Sequence, residues 1–117
     1  MLRKRVIAVD FDGTLCTHKF PEIGEIKQVH QNVINYVKQC RANGNIIVLW
    51  TCREDLPDRA YLTEAVEWCK EQGIEFDSVN EYVNPEVSCF GKYARKIAAD
   101  EYIDDKAVNI KEFEKVT

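Results

Sequence analysis

Several residue patterns that mark special classes of protein are missing from this chain. No Cys-x-x-Cys pair occurs, and the five cysteines (Cys16, Cys40, Cys52, Cys69 and Cys89) are an odd number scattered along the whole length. This argues against the usual zinc spacings and against a disulfide framework. Dispersed free thiols fit a reducing, cytoplasmic setting. No apolar stretch is long enough to span a bilayer, and the basic residues 1–5 lack the apolar region and cleavage site of a signal peptide. No membrane partner is expected. Basic charge is not in excess either. Sixteen Lys and Arg stand against twenty Asp and Glu, a formal charge of -4. A surface that wraps nucleic acid is normally basic, so the balance argues against such a partner. Repeats, low-complexity tracts and linkers are absent. With 117 residues, 45% of them hydrophobic, the chain has the length of one domain over 1–117 and enough apolar surface for one core.

What the chain does have is concentrated near its start. Val6 to Val9 form an apolar run that ends at two carboxylates, Asp10 and Asp12, followed by Gly13. Such a run, bounded by turn residues, reads as a strand buried on both faces. Side chains at i and i+2 of an extended backbone share a side, so Asp10 and Asp12 are expected to point the same way. Two carboxylates this close repel unless a cation or a shared proton lies between them. Hard oxygen ligands of this kind suit Mg²⁺, which takes one or two carboxylates and keeps several waters. A calcium loop is excluded, because positions six and twelve counted from Asp10 are Leu15 and Pro21 rather than Gly and Glu. The plain alternative is that Asp-Gly after a strand makes an ordinary turn.

The rest of the chain alternates strand and helix patterns. After an irregular segment over 16–24, Ile26, Val29, Val33, Val37 and Cys40 mark one stripe of a helix over 26–42, widened by Ile34 and stopped at Asn43-Gly44. A second apolar strand over 45–51 ends in Thr51. Pro57 reads as lying near the start of the next helix, whose core face carries Leu62, Ala65, Val66 and Cys69 and which Gly73 ends. Weaker patterns predict a strand over 74–79, a loop over 80–89, a short helix over 90–99 and a strand over 101–105 ending in Asp104 and Asp105. A short strand over 108–110 and a last helical turn over 111–116 follow.

Strands alternating with helices imply a parallel sheet with right-handed crossovers. The expected fold is α/β, a single-domain, three-layer, Rossmann-like parallel sheet flanked by helices. Ligands of such sheets sit beyond the carboxyl ends of the strands. Asp10, Asp12, Thr51, Asp104 and Asp105 all fall at strand ends of that kind and are expected to face one crevice. Four acidic groups there call for a divalent ion, which makes the cluster an anion site. A hydroxyl and a lysine complete what phosphoryl transfer needs.

These motifs resemble those of the haloacid dehalogenase superfamily of phosphatases. That family's Asp-x-Asp-x-Thr motif after an apolar strand stands as Asp10, Phe11, Asp12, Gly13 and Thr14. Its strand ending in a hydroxyl stands at Thr51. Its acidic pair stands as Asp104 and Asp105, with a lysine before that strand, and the four occur in the family's order. The resemblance implies a Mg²⁺-dependent hydrolase with Asp10 as the nucleophile that forms an aspartyl-phosphate. Asp12 is implied as the acid and base, and Thr51 and Lys96 as groups that hold the phosphoryl. Gly13 is placed at the substrate, and Arg53 either reaches the substrate or lies at the surface. Asp10, the Asp12 backbone carbonyl and Asp104 are implied metal ligands, with Asp105 as a further ligand or outer-shell partner. Lys96 fits the family's spacing, although Ile97 stands where relatives often have proline, and Lys92 is its rival. His18 lies in a segment that forms a flap in this family. His30, Trp50 and Cys52 need no function, Cys52 reading as a small core residue. No room exists for the cap domain of larger members, so an open site is expected, serving a large phosphorylated substrate or covered by a second subunit. The competing expectations are a receiver-type signalling phosphoacceptor, whose motif order differs, and a non-catalytic binding module on the same fold.

Overall fold

The computed structural model describes residues 4–81 and 99–104. Their apolar runs form four strands: β1 (Val6–Val9), β2 (Ile46–Leu49), β3 (Ser78–Val79) and β4 (Glu101–Ile103). All pair in parallel in one sheet of order β3-β2-β1-β4. Helix α1 (Gln28–Ala42) connects β1 to β2, and α2 (Tyr61–Glu71) connects β2 to β3. The fold is α/β with a Rossmann-like parallel sheet.

The continuous apolar character of β1 and β2 has a simple cause. Ile7, Val9, Ile47, Leu49 and Ile103 share a core with Val33, Ile34, Val37 and Cys40 of α1 and with Ala65 and Cys69 of α2. Ala8 and Val48 alternate with them and pack with Val6, Ile46, Trp50, Ala99 and Tyr102. Neither set is solvated, so neither set is polar. The two described helices share one core, as right-handed crossovers that step in one direction across a sheet require. The helix expected over 90–99, which the third layer needs, lies outside the described residues. So do the expected elements over 108–110 and 111–116.

Several boundaries differ from the sequence reading, each for a local reason. In α1 the buried stripe is His30, Val33, Ile34, Val37 and Cys40, so His30 takes the place expected for Val29. His30 is inside because its Nδ1 accepts the Lys27 N–H at 3.0 Å, closing the first turn of the helix. Pro57 does not open α2. It sits in a turn closed by reciprocal bonds between Leu56 and Arg59, and the helix begins at Tyr61. Asp55 reaches past that turn to accept from both the backbone N–H and the hydroxyl of Thr63, at 2.9 and 2.6 Å. The 74–79 strand shrinks to Ser78–Val79. There Asp77 donates its own N–H to the Ile47 carbonyl at 2.8 Å and accepts the Ile47 N–H on its carboxylate, also at 2.8 Å.

The topology sets where a ligand can go. β2 and β3 step away from β1 on one side, whereas β4 pairs on its other side. The strand order reverses between β1 and β4, and in open α/β sheets that reversal opens a crevice beyond the carboxyl ends.

Candidate active site

β1 ends at Val9, which pairs with Leu49 on one side and Ile103 on the other. The next residue on each strand is therefore Asp10, Trp50 and Asp104. The Asp10 N–H donates to the Ile103 carbonyl at 2.9 Å, and the Trp50 N–H to the Val9 carbonyl at 2.9 Å. Adjacent strands lie about 4.8 Å apart, so the register sets Asp10 and Asp104 side by side at the switch point. Both are half-buried. Thr51 follows one residue further along β2. Its N–H donates to the Asn80 side chain at 2.7 Å, and its hydroxyl accepts the Arg53 N–H at 3.2 Å. Asn80 has φ 54°, a left-handed conformation, which lets it turn the chain after β3 and reach Thr51. Nothing in the sequence reading singled Asn80 out, although an asparagine just past a strand is a turn signal.

The alternation expected to align Asp10 with Asp12 does not extend that far. Beyond Asp10 the chain turns, with the Thr14 and Leu15 N–H groups both donating to the Phe11 carbonyl and Gly13 at φ 85°. Phe11 drops into the core, where its ring meets Trp68 edge-on at 5.5 Å. The Asp12 carboxylate is brought to Arg53. Nε and Nη2 of the guanidinium donate to its two oxygens, each at 2.9 Å. Nη2 also donates to the Glu22 carbonyl at 3.0 Å, and Nη1 to the carbonyls of Pro21 and Tyr61, both at 3.4 Å. Arg53 is 2% exposed. Its five N–H donors are thus all engaged inside the chain. No pattern along the chain marks this pair, because it joins positions 41 residues apart.

The 17–25 segment closes on itself and on Arg53. Thr17 N–H donates to the Glu25 carbonyl at 2.8 Å, and Glu25 N–H to the Thr17 hydroxyl at 2.9 Å. A Cβ on Gly24 meets the Thr17 carbonyl, so only glycine fits between them. Arg59 bridges Glu22 and Glu64 at 2.9 and 2.8 Å and holds both carboxyls below their ordinary range. His18 is exposed, and Trp50 packs against the Ala8 and Val48 face. Cys52 is exposed, not a core residue, because β2 ends at Leu49 and the strand alternation no longer places it. Cys16, Cys40 and Cys69 are buried. Desolvation, with a smaller contribution from Cys16, pushes the Cys69 thiol up to about 12, so it stays an inert protonated thiol.

The residues at this rim suit a hard cation. Asp10 and Asp104 offer carboxylates and Asp12 a backbone carbonyl, an oxygen-only set of the kind that Mg²⁺ takes with its remaining positions filled by water. Among the described residues no three His, Cys, Asp or Glu side chains gather as a metal site. A site of two carboxylates and a carbonyl does not require three. Among the described residues the Thr14 hydroxyl, buried in the same loop, has no hydrogen-bond partner. Lys92, Lys96 and Asp105 lie outside the described residues.

Fold and site together define a Rossmann-like α/β protein with an acidic rim at its switch point. No family model and no curated protein matches the sequence. Among solved structures, the chain is similar to a conserved protein from Bacteroides thetaiotaomicron. The two are 37% identical with a TM-score of 0.70, over 91% of this chain and 79% of that one. The chain belongs to one family with that protein.

Proposed function

We propose that this protein is a Mg²⁺-dependent phosphohydrolase of the haloacid dehalogenase type, acting on a phosphate ester through an aspartyl-phosphate. The observation that carries this reading is the register at the switch point. It sets Asp10, from the first motif, beside Asp104, from the last, with Thr51 on the neighbouring strand.

Asp10 attacks phosphorus with a carboxylate oxygen, and the bond to the leaving oxygen breaks. Asp12 gives a proton to that leaving oxygen, then takes one from the water that hydrolyses the aspartyl-phosphate and restores Asp10. Thr51, whose hydroxyl oxygen accepts from Arg53, keeps its own proton to donate to a phosphoryl oxygen. Gly13 supports the turn that carries Asp12 past the strand end. Lys96 supplies fixed positive charge. Asp10, the Asp12 carbonyl and Asp104, with Asp105, are the groups to hold Mg²⁺, which supplies charge against the phosphoryl oxygens. Between Leu15 and Ile46 lie only the 17–25 segment and α1. The resulting open rim suits a large phosphorylated substrate or cover by a second subunit. No described helix is long and apolar enough to cross a membrane. Four free cysteines among the described residues support a cytoplasmic location.

Phosphate release from an aryl phosphate, with and without Mg²⁺, tests the reading. Wild type is expected to need the metal, and Asp10→Asn to lose about a thousandfold or more in rate. Equal rates in the two proteins overturn it.

A further inference from the structure

We propose that Arg53 is a positioning residue for Asp12, holding that carboxylate in place and fastening the 17–25 segment beside it, without contacting the substrate phosphate. The assignment rests on the hydrolase reading for its catalytic meaning. Its geometry stands apart from that reading.

A guanidinium that binds a phosphoryl group must present N–H donors to an open crevice. Arg53 presents none. Two go to Asp12, two to the carbonyls of Pro21 and Glu22, and one to the carbonyl of Tyr61, the first residue of α2. The Arg53 side chain is 1% exposed, and its partner Asp12 14%. The plane of the guanidinium is also fixed. Its Cζ lies over the rings of both Phe11 and Phe20, 4.9 and 5.0 Å from their centroids. Phe11 is anchored in the core, whereas Phe20 is half exposed at the tip of the 17–25 segment. The Arg53 stem is held from behind, its own N–H donating to the Thr51 hydroxyl. One side chain thus joins the loop after β1, the 17–25 segment, the end of β2 and the start of α2.

This arrangement has a direct effect on the chemistry assigned to Asp12. Each carboxylate oxygen accepts once from Arg53 and keeps a second lone pair, so the paired guanidinium decides which side of Asp12 is left for a leaving oxygen or a water. Arg53 keeps all its protons while Asp12 gives and regains one. The direction Asp12 faces is therefore set by Arg53. Lysine cannot substitute, because an ammonium is a point charge with three donors and no plane to lie over the rings.

The test compares wild type, Arg53→Lys, Asp12→Asn and the double variant, by phosphate release and by amide exchange over 17–25. Arg53→Lys is expected to lower kcat by about tenfold or more with KM within about twofold. The double variant is expected to be no slower than Asp12→Asn alone. Exchange over 17–25 is expected to rise in both single variants. A KM increase of about tenfold with kcat kept, or losses that multiply in the double variant, overturns the assignment in favour of substrate binding. Should wild type release no phosphate, the hydrolase reading falls, and exchange alone decides whether Arg53 fastens the segment. Unchanged exchange in both single variants then overturns the proposal. Should Arg53→Lys not fold, Asp12→Asn supplies the exchange comparison by itself.

Discussion

Asp77, Asp100, Asp10 and Asp104 flank the described strands, and the strand end each occupies divides them into two kinds. Asp77 and Asp100 precede β3 and β4 at the amino rim and do the same job. Each donates its N–H to a carbonyl of the next strand and accepts an N–H of that strand on its carboxylate, Asp77 with Ile47 and Asp100 with Val6. They extend the ladder by one rung where backbone donors are otherwise left over. Asp10 and Asp104 stand at the opposite rim, past the last paired residues. Replacing Asp77 or Asp100 with alanine is expected to lower stability by about 1–3 kcal/mol, read by urea unfolding, with phosphate release per folded molecule unchanged. A loss of activity without a loss of stability contradicts this division. The sequence marks all four as acids next to apolar runs and does not separate them. The separation depends on which end of the strand each occupies, and the 74–79 pattern hid that for Asp77 by running through it.

Two elements depend on single close fits. In the 17–25 segment, Gly24 lies where any side chain meets the Thr17 backbone. Gly24→Ala is expected to force the Thr17–Glu25 clasp apart at a cost of about 1–3 kcal/mol. Limited proteolysis should then cut within 17–25 in the variant and not in wild type. The amino end of α1 depends on a neutral imidazole. Burial first, and the Lys27 charge second, hold His30 below its ordinary 6.5. The unfolded chain therefore gains a proton at a pH where the folded chain does not. Stability from His30 is complete above 6.5 and is lost as pH falls below it toward the folded value. The wild-type melting temperature is expected to drop between about pH 7.5 and about pH 5.5. The drop should be smaller in His30→Gln, and an equal drop in the two contradicts the assignment. The periodic apolar stripe made α1 readable, while the cap was not, because an Nδ1 acceptor folded back on the helix end leaves no period in the sequence.

At the scale of the whole molecule, the chain's alternation of apolar runs and amphipathic stripes was enough to expect the parallel sheet and its crossovers. The carboxyl-end rule was enough to expect which strand ends are neighbours, and Asp10, Thr51 and Asp104 follow the carboxyl ends of three adjacent strands. Long-range side-chain pairing was not legible. Arg53 with Asp12, and Tyr36 of α1 with Glu101 of β4 at 2.8 Å, tie distant segments through contacts that only the packed chain creates. The acidic rim also makes a prediction for the folded protein as a unit. A cation that binds only the native state stabilises it by about 2.7 kcal/mol at a hundredfold excess over its Kd. Mg²⁺ is therefore expected to raise the melting temperature of wild type and to leave that of Asp104→Asn unmoved. Equal rises in the two remove Asp104 from the metal site.

Among the described strands β1 and β2 are each paired on both sides, whereas β3, of two residues, stands at one margin. Unfolding that begins locally starts from the weakest margin and reaches a doubly bonded strand last. The carboxylate of Asp10 thus follows directly on one of the two segments expected to come apart last. Under mild heat or denaturant, the outer pieces melt while the anchor of the chemistry still stands.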